Sequence, residues 1–134
     1  MIKSMNDIIK RLYERIPFYS TLGFELQEIA NGIAIFEIEI RKELTQNGMI
    51  HGGVLASLVD STCACAAFSL ILPHGYVTTI DLQIEFLKPV SSGRLRAKAK
   101  CIKSGKNIFF CKAKVWHENG ELICTGSSQL LRIE

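Results

Sequence analysis

The sequence predicts an α+β fold in which an antiparallel sheet of about six strands wraps around one long central helix, preceded by a short helix. Three observations predict it. The stretch from Gln46 to Leu72, QNGMIHGGVLASLVDSTCACAAFSLIL, is almost free of charge. From Val54 onward it is apolar or small on every side at helical spacing, so a helix there has no solvated face and must be enclosed. The flanking segments alternate apolar and polar residues with the period of a strand. The turns between them are too short for parallel crossovers, and helices do not alternate with strands.

Taken in order, residues from about Asn6 to Ile16 place Ile8, Ile9, Leu12, Tyr13 and Ile16 on one side and Lys10, Arg11, Glu14 and Arg15 elsewhere. This is an amphipathic helix that Pro17 ends. GFELQEIA and GIAIFEIEI are β-rich runs separated by Asn31-Gly32, a strong hairpin signal. The enclosed helix follows, and Pro73-His74-Gly75 turns the chain. From Tyr76 to Leu87, strict alternation puts Ile80, Leu82, Ile84 and Phe86 on one face and Thr79, Asp81, Gln83 and Glu85 on the other. Leu95, Ala97, Ala99 and Cys101 then alternate with Arg96, Lys98 and Lys100. Ser104 to Asn107 turns into a strand from Ile108 to His117, and Glu118-Asn119-Gly120 leads to a last strand from Glu121 to Arg132.

Residues 1–134 are expected to form a single domain, since the length supports one real core and no linker or repeat divides it. With 48% hydrophobic and 22% charged residues the composition is that of an ordinary soluble protein. Cys63, Cys65, Cys101, Cys111 and Cys124 are odd in number, lack paired CxxC spacing and have no histidine cluster nearby. They read as buried reduced thiols of a cytoplasmic protein, not as a disulfide frame or a metal site. The N-terminus MIKSMNDIIKRLYERI mixes charge with apolar residues and builds no secretory core. A membrane span is disfavoured too, because the Val54 to Leu72 run is marginal in length and contains Ser57, Asp60, Ser61, Thr62 and Ser69.

Between Glu43 and Asp81 the only acidic, basic or histidine side chains are His51, Asp60 and His74. A lone carboxylate in an apolar helix is costly to bury unless it is hydrogen-bonded or has a task. His51-Gly52-Gly53 opens that helix, where the first amides lack internal acceptors and point outward with the positive end of the dipole. They form a ready site for an oxygen that gains negative charge. At 100° and 1.5 Å per residue, Asp60 lies about 13 Å beyond His51 and about 180° round the helix, so one chain cannot bring them to one site. Antiparallel helices of two copies across a two-fold axis would, giving two equivalent sites.

NGMIHGGVLASLVD followed by an alternating strand resembles the hotdog-fold acyl-CoA thioesterases, in particular the phenylacetate-degradation, or PaaI-type, branch. The likeness runs in element order from about Gly23 to the C-terminus. It implies a double-hotdog homodimer with composite sites, often paired into a homotetramer, and hydrolysis of an acyl- or aryl-CoA. Coenzyme A would be part of the substrate, with no separate cofactor. On this likeness Asp60 serves as general base or nucleophile, the Gly52 or Gly53 amide holds the oxyanion and His51 orients the loop. Thr79 would orient the water. The family's usual Asn or Gln six positions before the histidine is replaced by Thr45, with Gln46 and Asn47 beside it. That departure keeps alive a non-catalytic acyl-CoA binding module. A hydratase is disfavoured because no histidine accompanies Asp60 on the helix.

Between Arg94 and Lys114 stand eight basic residues and no acidic ones. They suit coenzyme A phosphates, with Lys103, Lys106, Asn107 and Lys88 as candidate contacts. Nucleic acid is not expected, since aromatic residues for base stacking are sparse there.

Overall fold

The computed structural model describes residues 4–134. Helix α1, Met5–Arg15, starts at Ser4, whose side chain accepts from the Asp7 N–H at 3.2 Å, and it buries Leu12. Pro17 ends α1 but also opens a second helix, α2, Pro17–Leu22, which the sequence reading lacked. Proline suits a first helical turn because no N–H is needed there. Gly23, left-handed at φ 75°, closes α2.

Strands β1, Glu25–Ala30, and β2, Ile33–Glu39, form the expected hairpin, with Asn31 and Gly32 at φ 54° and 79°. Positive φ at both central residues is what a tight two-residue turn demands. Two short strands, β3, Thr45–Gln46, and β4, Met49–Ile50, make a separate small hairpin. The central helix α3 spans Gly52–Phe68, starting two residues before the apolar run and stopping four residues short of Leu72. Then come β5, Tyr76–Phe86; β6, Arg94–Ser104; β7, Ile108–His117; and β8, Leu122–Ile133. The main sheet is antiparallel with order β1-β2-β6-β7-β8-β5, and α3 packs across all six strands. This is the hotdog arrangement.

The core lies between sheet and helix. Leu58, Val59, Thr62, Cys63 and Ala66 of α3 are fully buried against Phe36, Ile38, Leu95, Phe109, Val115 and Leu130. Ala97, Ala99 and Ala113 keep the sheet shallow under the helix. At Gly126 the approach is closest, since an added Cβ would stand 2.6 Å from Val59 Cγ1. The buried Thr62 hydroxyl donates to the Leu58 carbonyl, so it leaves no orphaned polar group.

Strand β5 departs from the strict alternation expected of it. Thr79 pairs with Leu130 and Asp81 with Gln129, leaving Ile80 without a partner. This one-residue bulge resets the pattern. Val77 and Thr79 turn toward α3 before it, and Leu82 and Ile84 do so after it. Ile80, placed with the buried face by periodicity, is instead 52% exposed.

The outer face of the sheet carries the basic residues. Lys98 stands opposite Lys114 and Lys100 opposite Lys112. All five cysteines are free thiols, four buried and Cys101 half-buried. Among the described residues, no helix is long and apolar enough to cross a membrane.

Candidate active site

Asp60 sits midway along α3 on the side that the sheet does not cover. Gly53 is exposed, and Ala56, Ser57, Asp60 and Ala64 are half-buried along the same stripe. Gly53 and Asp60 are seven residues apart, about 10 Å along the axis and within about 20° of one another. The Thr79 hydroxyl donates to Asp60 Oδ1 at 2.6 Å, the short length of a hydrogen bond to a charged acceptor. The second carboxylate oxygen meets no donor among the described residues. The bulge makes this pair possible, because without it Thr79 would face away.

Asp60 also marks its surroundings electrostatically. Burial pushes the Cys63 thiol up to about 12, and the nearby Asp60 charge adds to the shift. Burial likewise raises the Tyr19 phenol, helped by Cys65 and more weakly by Asp60. Neither group is available as an acid or base near neutral pH.

At the start of α3, His51 is exposed. Its Nδ1 accepts from the Gly53 N–H at 2.8 Å, so the ring itself caps the helix. A Cβ at Gly53 would lie 2.9 Å from that nitrogen, so glycine is what admits the ring. The Gly53 amide is therefore occupied, whereas the Gly52 N–H meets no acceptor among the described residues. Phe86 lies over Gly52, its ring carbons 3.4 Å from where a Cβ would be.

Thr45, Gln46 and Asn47 belong to the small hairpin, which the His51 N–H ties to the helix start through the Leu44 carbonyl at 2.9 Å. The Thr45 hydroxyl donates to the Lys42 carbonyl at 2.7 Å. Asn47, with Gly48, forms the turn at φ 55° and 80°. Within one chain none of these three bonds to Asp60 or Thr79. Lys88 is ion-paired with Glu121 beyond the Phe86 end of β5. Lys103, Lys106 and Asn107 lie at the opposite end of the sheet, where the Asn107 carbonyl accepts from Arg132. Some ten strand residues, roughly 30 Å, separate the two groups, so a single chain does not gather all four around one phosphate.

Residues 47–124 match the family model described as the thioesterase superfamily. The chain belongs to that superfamily. This thioesterase is 30% identical over 132 residues to human acyl-coenzyme A thioesterase 13, covering 94% of its own length and 92% of the relative's. It is 27% identical over 105 residues to the 1,4-dihydroxy-2-naphthoyl-CoA hydrolase of Listeria monocytogenes, covering 78% and 85% of the two chains. The PaaI protein from the phenylacetic acid degradation operon of E. coli has the same fold, at a TM-score of 0.86 and 21% identity, over 94% of this chain and 91% of that one. Membership of the family makes the chain a thioester hydrolase.

The sequence reading missed Tyr19 and its neighbours on α2. The signal was present, as proline at the start of PFYSTL and glycine directly after it are a helix start and stop in six residues.

Proposed function

We propose that this thioesterase hydrolyses acyl-CoA thioesters in a site assembled from two copies of the chain. Asp60 and Thr79 come from one copy and the start of α3 from the other. The observation that carries the reading is the Thr79–Asp60 hydrogen bond on the uncovered stripe of α3. It fixes a half-buried carboxylate on the side of α3 that the sheet leaves uncovered.

Geometry favours two copies. Gly53 and Asp60 share a face, and the midpoint between them falls at Ala56 and Ser57, small residues that let two antiparallel helices cross closely. A two-fold axis there sets the Asp60 of one copy beside the Gly52 and Gly53 of the other. The outer edge of β5 is unpaired, and the strand bears exposed Tyr76, Ile80 and Phe86 with exposed Leu87 just beyond it, as an edge that a second copy covers would.

In the reaction, Asp60 takes a proton from water as the water oxygen bonds to the thioester carbonyl carbon. The Gly52 N–H holds the oxyanion, a donor worth about 3 kcal/mol. Collapse breaks the carbon–sulfur bond, and the coenzyme A sulfur leaves with the proton that Asp60 had accepted. His51 shapes the loop through Gly53 and transfers no proton. Lys103, Lys106 and Asn107 remain the contacts proposed for the nucleotide phosphates, with Lys88 from the far end of the sheet less favoured because Glu121 already pairs it. Five free thiols suit a reducing compartment such as the cytoplasm.

Thiol release from acetyl-, decanoyl-, hexadecanoyl- and phenylacetyl-CoA tests the proposal against an Asp60→Asn control. Turnover no greater than that of the control would leave a non-catalytic acyl-CoA binding module, the reading that Thr45 favours, since its hydroxyl is committed to Lys42.

A further inference from the structure

A cleft of about 340 Å³ opens between the N-terminal helices, the second half of α3 and the start of β5. Leu12 and Ile16 wall it on one side, Tyr19 and Phe68 close it, and Ala64 and Val77 form the side nearest the reacting pair. Ala64 is one turn beyond Asp60 on α3, and Val77 precedes Thr79 by two residues on the same face of β5. The cleft thus begins where the Asp60–Thr79 pair ends.

Its chemistry is that of hydrocarbon. The Tyr19 hydroxyl is already engaged with Cys65 Sγ at 3.4 Å, and Tyr76, the second phenol of the lining, is half exposed. Arg15 is the one charged residue of the lining, and it is exposed. Ligand pockets run from about 300 to 1,000 Å³, so this one stands at the small end.

We propose that this cleft receives the acyl group and restricts the enzyme to medium-chain or one- to two-ring aryl groups, with Ala64 and Ile16 setting the size limit. The inference rests on the thioesterase reading of Asp60 and Thr79 and goes beyond it, because it assigns the substrate class to residues of α1 and α3. A longer side chain at 64 shortens the cleft beside the reacting carbonyl. A shorter one at 16 opens its rim. A chain as long as hexadecanoyl overruns the space.

The test is the ratio of kcat/KM for decanoyl-CoA to that for acetyl-CoA. The ratio should exceed tenfold in the wild type, fall about tenfold in Ala64→Leu, and move in favour of hexadecanoyl-CoA in Ile16→Ala. Ile16 is half-buried, so that variant keeps the test available if Ala64→Leu does not fold. Ratios unchanged in both variants would overturn the assignment while leaving the thioesterase reading intact. Calorimetric binding to Asp60→Asn reads the cleft without chemistry. Decanoyl-CoA should bind at least tenfold more tightly than acetyl-CoA, and equal affinities would overturn the proposal even where no acyl-CoA is turned over.

Discussion

The Thr79 hydroxyl donates to Asp60 Oδ1 across 2.6 Å, joining the middle of the enclosed helix to the edge strand of the sheet. A hydrogen bond to a charged acceptor is worth about 1.5–3 kcal/mol. Thr79→Val should therefore lower kcat/KM about ten- to a hundredfold, and Thr79→Ser should restore most of it. Loss of activity in Thr79→Ser equal to that in Thr79→Val would mean that the methyl, and not the hydroxyl, matters.

Gly52→Pro removes the free amide at the first position of α3, where proline is well tolerated. His51 is extended at ψ 135°, which a following proline requires. The variant should stay folded and lose about a hundredfold or more in kcat. Mixed with Asp60→Ala, it should regain activity through hybrid dimers that each hold one intact site. A heterodimer verified by mass spectrometry and still inactive would speak against a shared site.

Gly126→Ala should lower stability by about 1–3 kcal/mol, the usual cost of overpacking. The new methyl would meet Val59 Cγ1 at 2.6 Å and the Gln83 carbonyl oxygen at 2.8 Å. A urea midpoint matching that of the wild type would show that α3 can lift from β8.

Stability should fall from about pH 9 upward. Burial raises the Cys63 and Cys65 thiols to about 12 and Cys124 to about 11, from an ordinary value of 9.0. Below pH 9 these thiols hold their protons in both states and contribute no pH dependence. Above it the unfolded chain releases protons that the folded one keeps, so alkali favours unfolding. Urea midpoints at pH 8 and pH 10.5 should show the loss, and Cys124→Ala should reduce it.

Added salt should raise the melting temperature. Lys98 faces Lys114 and Lys100 faces Lys112 on adjacent strands, and like charges directly opposite are destabilising. Screening at 0.5 M salt weakens that repulsion. A melting temperature independent of salt would show the ammonium groups already splayed apart.

Much of this was legible because the local signals were strong. Asn31-Gly32 dictated its turn, and the run after Gly53 had no face to offer water. Asp60 stood out for the same reason, as the one carboxylate where apolar contacts dominate. Thr79 was legible only by likeness to other sequences. Nothing in Thr79-Ile80-Asp81 signals a bulge, which arises from pairing with β8 some fifty residues away. The capture of the Gly53 amide by His51 was equally hidden, since it depends on a side-chain torsion and not on spacing. The scatter of Lys88 and Lys103 to opposite ends followed from topology, which fixes distances that composition cannot.

The unpaired Ile80 has a consequence for how this strand tolerates change. A deletion of Ile80 would restore regular pleating with Thr79 still opposite Leu130 and Leu82 still opposite Ser128, so both halves of the strand would keep their inward faces. A strand that kept Ile80 but paired it regularly would instead turn Thr79 and Val77 outward, and the carboxylate would lose the Thr79 hydroxyl and the hydrocarbon cleft one wall. One extra residue thus lets a chemical half, with Val77 and Thr79, and a structural half, with Leu82 and Ile84, lean on the same helix.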